Sequence, residues 1–454
     1  MILLRDYWKR LSMNFLAVCF ANAPFWIIGG VVFINRPLFS YETIIALIVS
    51  IFNKPIGFFL ILAAWIVDGL VSQSLTYQFL TPNEFLQSAR FSGNIDWQSF
   101  ITYWHVIGMM VFLIFLCFLY TTSRRISNSA KSVADLIIIG IFLFVFDATN
   151  GASDIWRRDK MIMPVNIAGS PAFNLARSSL RSPEKHMLRQ IVSDQSISKK
   201  FDIVAWASAH PDRSILFVVV ESLGVPKSDD ALQFLQQYVH INNYNTNFYQ
   251  IEFRGATTNG ELRSLCGLEG SYKAMTDSTG KNCLPAQLAR LGWHTSGFHG
   301  FSKQMFDRQS WWPKIGVDQL FFIENQEVAS LNRCGNVFRG ACDKDLLDVA
   351  VSHISSPKSF AYVLTLNTHL PVVPVELPNT LSESCHIQGL PDGACMHIAA
   401  LKNVLEGIVT SASSLPYHPL IVIVGDHAPP FSAISERDVF RQDVVPGFVL
   451  VPEL

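Results

Sequence analysis

The sequence predicts two parts in series. Residues 1–150 read as an N-terminal transmembrane domain of about five helices. Residues 212–454 read as an α/β domain whose largely parallel sheet carries helices on both faces. Three observations predict this. The long apolar runs are confined to the first third of the chain. The last half alternates short strand-like runs with helical stretches, the pattern of a parallel sheet. Five of those runs are each followed closely by a residue able to bind a metal or a phosphate.

The apolar runs come first. Met13–Ile34, Pro55–Val71, Ile101–Tyr120 and Val133–Phe146 are each long enough, or nearly so, to cross a bilayer; a span takes roughly 20 residues. Arg5, Lys9 and Arg10 precede the first run, and Arg124, Arg125 and Lys131 separate the last two. The positive-inside rule puts both groups in the cytoplasm, so an even number of spans lies between them. A span around Leu38–Phe52, turning at Asn53-Lys54-Pro55, supplies the missing one; Glu42 near its start fits least well. The last span then delivers everything after about Asn150 to the outside, and the first serves as an uncleaved anchor. Ser72–Ser99 is a polar external loop holding Asn83, Glu84, Arg90 and Asp96.

Residues 151–211 connect the two parts. Within them Ala172–Val192 sets Phe173, Leu180, Met187, Leu188 and Ile191 among Arg177, Arg181, Lys185 and Arg189, with Pro183 interrupting. Two readings stand: a cationic amphipathic helix on anionic headgroups, or a helix covering the following domain.

Composition agrees with a mixed membrane and aqueous chain. Half of the 454 residues are hydrophobic and 16% are charged. A formal net charge of −1, without a basic stripe, gives no support to a nucleic-acid partner. Cys19 and Cys117 fall in apolar runs and read as small fillers. The other six lie in the last half: Cys266, Cys283, Cys334, Cys342, Cys385 and Cys395. An even count in loop-like sequence outside the membrane reads as disulfides, and sequential pairing is the preferred of the 15 arrangements. No C-x-x-C pair is present, so structural zinc is the weaker alternative.

The strand-like runs carry the chemistry. Ile215–Val220 runs into Glu221. Tyr249–Phe253 precedes Thr257 and Thr258. His294–Phe298 ends at His299, and Phe360–Leu366 at Asn367, Thr368 and His369. Leu420–Gly425 ends at Asp426 and His427. Leu284–Leu291, Asp343–His353 and Ile398–Ser411 read as the intervening helices. Ligands of open α/β sheets bind outside the carboxyl ends of the strands. Glu221, Asp426 and His427 offer two carboxylates and an imidazole, a set that suits Zn²⁺ or Mn²⁺ better than Ca²⁺ or Cu(I). Glu221 alone has an ordinary alternative as a carboxylate at a helix N-terminus. A threonine hydroxyl beside such an ion is a candidate nucleophile, because the cation stabilises its alkoxide. Gly255 and Gly260 leave room for backbone amides to approach an anion. The ordinary reading of a Thr-Thr pair is a loop or a cap.

The stretches VVVESLG, GATTNGELRSLCG, GFHGFSKQMFDR, TLNTHLP and GDHAPP run in order from Val218 to Pro430. In sequence and order they resemble the alkaline phosphatase/sulfatase superfamily. More narrowly they resemble the membrane-anchored phosphoglycerol and phosphoethanolamine transferases of bacterial envelopes: lipoteichoic acid synthases, phosphoglycerol transferases of periplasmic glucans and lipid A phosphoethanolamine transferases.

The resemblance implies that Glu221, Asp426, His427 and a threonine oxygen hold one divalent ion, Mn²⁺ or Zn²⁺, with a second ion left open. In the glucan enzymes the nucleophilic threonine is followed by Gly three residues on and Cys-Gly nine on. Thr257, Gly260 and Cys266-Gly267 fit that spacing, and Thr258 remains the competitor. His299-Gly300 followed by Phe306-Asp307-Arg308 matches a headgroup-binding segment, with Phe306 where the family has Trp. Arg308 is then a phosphate clamp using its forked donors. His369 matches a substrate-contacting histidine able to protonate the leaving oxygen. His299 is either part of the site or structural. The implied donor is phosphatidylglycerol or phosphatidylethanolamine, and the acceptor a glycan or glycolipid. The implied location is the bacterial inner membrane, multi-pass, with the catalytic domain periplasmic.

Departures narrow this. A sulfatase needs Cys/Ser-x-Pro-x-Arg, and the nearest stretch, Cys283-Leu-Pro-Ala-Gln287, lacks the arginine. The Ser-x-Pro-Cys run of the lipid A enzymes is missing, and so is the Ser that lipoteichoic acid synthases carry after GDH. Two alternatives stay open: a membrane-tethered phosphatase or phosphodiesterase, and a non-enzymatic ectodomain that binds a ligand.

Overall fold

The computed structural model describes residues 2–32, 37–76, 104–123, 129–149, 167–181, 187–191, 196–373, 389–415, 417–431 and 433–453. Those up to Arg181 belong to one compact unit and those from Met187 onward to a second. The expected connecting segment is therefore divided between the two.

The first unit is helical: α1 (Ile2–Val32), α2 (Tyr41–Phe52), α3 (Lys54–Thr76), α4 (Trp104–Ser123), α5 (Ser129–Thr149) and α6 (Pro171–Arg181). Its interior gathers Ala17, Val18, Ile44, Leu47, Ile61, Trp65, Leu136 and Leu143. Phe59, Ile66, Val111, Phe142 and Phe144 point outward and are exposed. A surface this apolar suits a lipid environment. Arg10 Nε donates to Asp135 Oδ2 at 2.6 Å and Asn14 Nδ2 to the same oxygen at 3.0 Å, which ties α1 to α5.

Five helices lie where spans were expected. Two of them, among the described residues, contain a stretch long and apolar enough to cross a bilayer: Lys54–Val71 and Ala130–Thr149. The expected span around Leu38–Phe52 is the 12-residue α2. At 1.5 Å per residue it covers about 18 Å, short of the roughly 30 Å hydrocarbon core. Glu42, the residue that fitted least well, has a local role. It accepts from Ser40 Oγ at 2.6 Å, Ser170 Oγ at 2.5 Å and the Ala172 N–H at 3.0 Å. It therefore satisfies an open donor in the first turn of α6. That helix ends at Arg181, well before Val192; Pro183 lies outside the described residues.

The second unit holds a seven-stranded sheet. Its strands are β1 (Ile215–Val220), β2 (Tyr244–Glu252), β3 (His294–His299), β4 (Gln319–Phe321), β5 (Ser359–Leu364), β6 (Leu420–Gly425) and β7 (Val444–Pro452). The spatial order is β2-β7-β6-β1-β5-β3-β4. From β6 to β4 every pairing is parallel. β7 pairs antiparallel with β6 and with β2. The sheet is thus mixed, which corrects the expectation of a largely parallel one at that edge. Two reversals restore direction, so β2 runs the same way as β6. All five strand ends singled out in the sequence therefore open on one edge of the sheet.

β1 and β6 are apolar throughout, and β5 is so after Ser359, because both their faces are covered. Every residue of β1, β5 and β6 is buried. One face packs on α8 (Asp343–Ser352) and α9 (Asp392–Ser413), whose Leu346, Leu347, Ile398, Leu401, Leu405 and Ile408 join the core. β7 went unassigned in the sequence because Pro446 and Gly447 interrupt it, and Pro argues against a strand with neighbours on both sides.

Candidate metal-dependent active site

Glu221 is the first residue after β1, and Asp426 and His427 are the first two after β6. Those strands are adjacent and parallel, with Gly425 opposite Val220, so their ends deliver all three side chains to one point. Gly425 is required there: a Cβ would collide with the Leu223 carbonyl oxygen. The three residues are buried, and one ligand atom from each lies within 4.8 Å of the others. His427 Nδ1 is 2.9 Å from the Ala428 carbonyl oxygen. A proton on Nδ1 then donates to that carbonyl and leaves the Nε2 lone pair facing the carboxylates, the arrangement that orients a metal-ligating histidine.

Ser222 joins the two carboxylates. Its N–H donates to Asp426 Oδ1 at 2.7 Å and its hydroxyl to Glu221 Oε1 at 2.8 Å. Its carbonyl oxygen lies 2.9 Å from His397 Nε2 on α9. These three bonds hold Ser222 at φ 56°, left-handed backbone that a non-glycine residue seldom adopts. Such strain survives only where the surroundings over-determine it. Thr365 Oγ1 accepts from the Glu221 N–H at 3.0 Å, and Thr368 Oγ1 donates to the Glu221 carbonyl at 2.5 Å.

The nucleophile candidate arrives from α7 (Thr257–Cys266), which starts shortly after β2. Thr257 Oγ1 donates to Glu221 Oε2 at 3.1 Å and lies 3.5 Å from His427 Nε2. Thr258 makes no hydrogen bond to Glu221, Asp426 or His427 among the described residues. Gly267, at φ 63°, ends the helix in the left-handed conformation common at helix C-termini.

The donor set fits a divalent cation. Asp426 Oδ2 is buried and has no hydrogen-bond donor among the described residues. The acidities agree. Burial works against ionising Glu221, yet the His427 and His369 imidazoles and hydrogen bonds hold its carboxyl below the usual range. Burial and the Glu221 charge push Asp426 well above the usual range. Without a cation the pair therefore retains a proton, as like charges in one site do.

Arg308 sits deeper than the sequence suggested. Its Nε and Nη2 reach Glu261 Oε2 at 3.2 and 3.0 Å, and the pair is almost wholly buried. Glu261 also accepts from Trp312 Nε1 and Tyr362 Oη, each at 3.0 Å. The carboxylate takes two nitrogens of the fork, leaving Nη1, 3.5 Å from His299 Nε2 and 3.3 Å from the Met305 carbonyl. His299 is buried, its Nδ1 is 3.0 Å from the Leu364 carbonyl, and burial with the Arg308 charge lowers it to about 3. Phe306 and Asp307 precede Arg308 as consecutive left-handed residues, φ 53° and 52°, and the Arg308 guanidinium lies 5.2 Å from the Phe306 ring centre.

His369 lies on the loop after β5. Asp343 anchors that loop by accepting from the N–H groups of Leu366 and Asn367. His369 Nδ1 is 2.8 Å from the Leu370 carbonyl, and its ring stands edge-on to Phe338 at 4.6 Å. Cys266 is bonded to Cys283 and Cys334 to Cys342. Cys385 lies outside the described residues, and with it the third expected pair. A disulfide-bonded Cys283 cannot be the precursor of a sulfatase formylglycine.

A sheet of this order, with an acid–imidazole cluster at the carboxyl ends of β1 and β6, defines a domain of the alkaline phosphatase/sulfatase superfamily. The sulfatase family model matches residues 213–442, half of the chain, and the chain belongs to that family. No curated protein matches it in sequence. Among solved structures it is similar to the lipoteichoic acid synthase LtaP from Listeria monocytogenes, with 16% identity, 54% of this chain and 67% of that one covered and a TM-score of 0.39. The Streptococcus pyogenes phosphoglycerol transferase GacH shows 16% identity over 58% of this chain and 77% of its own, TM-score 0.39. The lipooligosaccharide phosphoethanolamine transferase EptA from Neisseria meningitidis shows 11% identity over 87% and 80%, TM-score 0.43. Likenesses at these scores carry no argument about activity.

Proposed function

We propose that the chain is a membrane-anchored transferase. It moves a phospholipid headgroup, phosphoglycerol or phosphoethanolamine, to a glycan or glycolipid of the bacterial envelope through a phospho-threonine on Thr257. One observation carries the reading: the Thr257 hydroxyl lies 3.1 Å from Glu221 Oε2 and 3.5 Å from His427 Nε2, within the cluster that Asp426 completes. A binding protein has no use for a hydroxyl there.

Glu221, Asp426, His427 and the Thr257 oxygen would hold the cation, Mn²⁺ or Zn²⁺. When bound it supplies Lewis-acid stabilisation of anionic oxygens. The Thr257 hydroxyl gives up its proton, toward the Glu221 Oε2 to which it donates; its Oγ forms a bond to phosphorus, and the bond from phosphorus to the diacylglycerol oxygen breaks. That oxygen takes a proton, for which His369 is the proposed source. Arg308 offers Nη1 to the phosphoryl oxygens, while Glu261 fixes its plane. An acceptor hydroxyl then gives its proton to His369 and bonds to phosphorus, the bond from phosphorus to Thr257 Oγ breaks, and Oγ takes back its proton, which restores the threonine. The apolar helical unit supports a lipid donor, and two disulfides support an oxidising compartment such as the periplasm.

The test is Thr257→Ala in the full chain. Transfer should fall on the order of 10³-fold or more, with the thermal midpoint unchanged. Retained turnover overturns the nucleophile assignment. The mass added to Thr257 in a trapped intermediate identifies the headgroup. Incubation with donor lipid alone separates transfer from hydrolysis: rapid, complete release without acceptor favours the tethered phosphodiesterase.

A further inference from the structure

Helix α7 meets the Asp426–His427 loop at two places besides Thr257. Gly260 lies against Asp426 so closely that a Cβ would come 2.6 Å from Asp426 Cβ and 2.7 Å from its Cα. Arg263 is 3% exposed, and its Nη2 donates to the carbonyl oxygens of Gly425 at 3.0 Å and Asp426 at 2.9 Å. Those carbonyls belong to the two peptide planes that flank Asp426. The remaining nitrogens, Nε and Nη1, are buried and meet no acceptor among the described residues. The contrast with Arg308 is informative. Arg308 is equally buried but has Glu261 as an ion-pair partner. Among the described residues Arg263 has no carboxylate in ion-pair contact. A buried guanidinium without one is unfavourable, and it persists where the nucleophile helix joins the metal-binding loop.

We propose that Arg263 is a positioning residue: by gripping the carbonyls of Gly425 and Asp426 it sets the distance between Thr257 and the Asp426–His427 pair. The proposal rests on the reading of this cluster as a metal-dependent transfer site. With both peptide planes fixed, the Asp426 and His427 side chains leave the backbone in the direction of Glu221. Without the grip, the contacts left between α7 and the loop after β6 among the described residues are the packing at Gly260 and the approach of Thr257 Oγ1 to His427 Nε2. Residues that orient metal ligands in this way contribute 10–100-fold to metal affinity.

The experiment uses the full chain in detergent with Arg263→Met, Arg263→Lys and Gly260→Ala. Mn²⁺ affinity is measured by calorimetry, and kcat and KM by headgroup release from a phosphatidylglycerol or phosphatidylethanolamine donor. In Arg263→Met, Mn²⁺ affinity should fall at least tenfold and kcat should fall with KM unchanged. The thermal midpoint of the metal-free protein should change little, because the loss of two hydrogen bonds to carbonyls is offset by removal of an unpaired buried charge. Arg263→Lys keeps a charged donor and should lie between wild type and Arg263→Met. Gly260→Ala pushes the loop from the other side and should also weaken Mn²⁺ binding. Wild-type Mn²⁺ affinity and kcat in Arg263→Met overturn the proposal. If that variant does not fold, wild-type Mn²⁺ affinity in both other variants overturns it. The Mn²⁺ titration does not depend on the substrate, so a failed nucleophile assignment at Thr257 leaves its outcome interpretable.

Discussion

Glu221 and Asp426 face one another in a buried cluster, yet their acidities diverge. The imidazoles and the Ser222 hydroxyl favour the Glu221 anion, while burial and the Glu221 charge favour protonated Asp426. A cation needs both carboxylates ionised, so its binding must expel the proton that the pair retains. The sign follows. Asp426 is raised, so lowering the pH keeps it protonated and weakens metal binding, while raising the pH strengthens it. Calorimetric titration of the metal-free protein with Mn²⁺, in buffers of different ionisation enthalpy, should record proton release that grows as the pH is lowered. No buffer dependence would mean that Asp426 is already ionised. At this scale the ligands were legible because each follows an unbroken apolar run, which marks a strand end in the sequence itself. Ser222, Arg263, Glu261 and His397 were not. Their roles pass through a positive φ, a carbonyl grip or a buried pair, none of which has a spacing to read. Arg263 and Glu261 gave one signal, as charged residues in a helix whose neighbours Leu262 and Leu265 are buried.

Among elements, the ends of β1, β5 and β6 were legible to within two residues because β1 and β6 are unbroken apolar runs and β5 is one from Phe360 onward. β7 was not, since Pro446 and Gly447 mask a strand that nine register pairs with β2 secure. Helix α7 was not legible as a helix, because RGATTNGELRSLCG carries little apolar periodicity; the family motif singled out Thr257 but not the element that carries it. Its tether is covalent. Cys266 is its last residue, and the bond to Cys283 closes a separation of 17 residues just before the helix Leu284–Arg290. A loop of that size is worth about 3 kcal/mol in the chain-entropy account. Replacing both cysteines by serine should lower unfolding stability by roughly that amount in denaturant titrations. The same variant should retain Mn²⁺ binding, because Thr257, Gly260 and Arg263 lie toward the other end of the helix. Loss of metal affinity in a still-folded variant would instead assign the disulfide to the site.

At the scale of the whole molecule the two units answer different problems. The second has its own core, in which one face of the central strands (Leu216, Val218, Ala361, Val363, Ile421 and Ile423) packs with Leu346, Leu401 and Leu405 of α8 and α9, and it contains every residue of the acid–imidazole cluster. The first exposes Phe59, Ile66, Phe142 and Phe144, an arrangement unfavourable in water and favourable against lipid. A phospholipid donor resides in the bilayer, and a tethered site meets it at a far higher effective concentration than a free one. The chain from residue 182 onward, produced alone, should therefore bind Mn²⁺ with near wild-type affinity and cleave a soluble short-chain phosphodiester. On donor lipid in vesicles its turnover should fall by at least 10²-fold, the lower end of the gain expected from tethering. Equal rates on vesicles for the full chain and the separated unit would show that the helices contribute nothing to donor access, and the lipid would lose its place as the proposed donor.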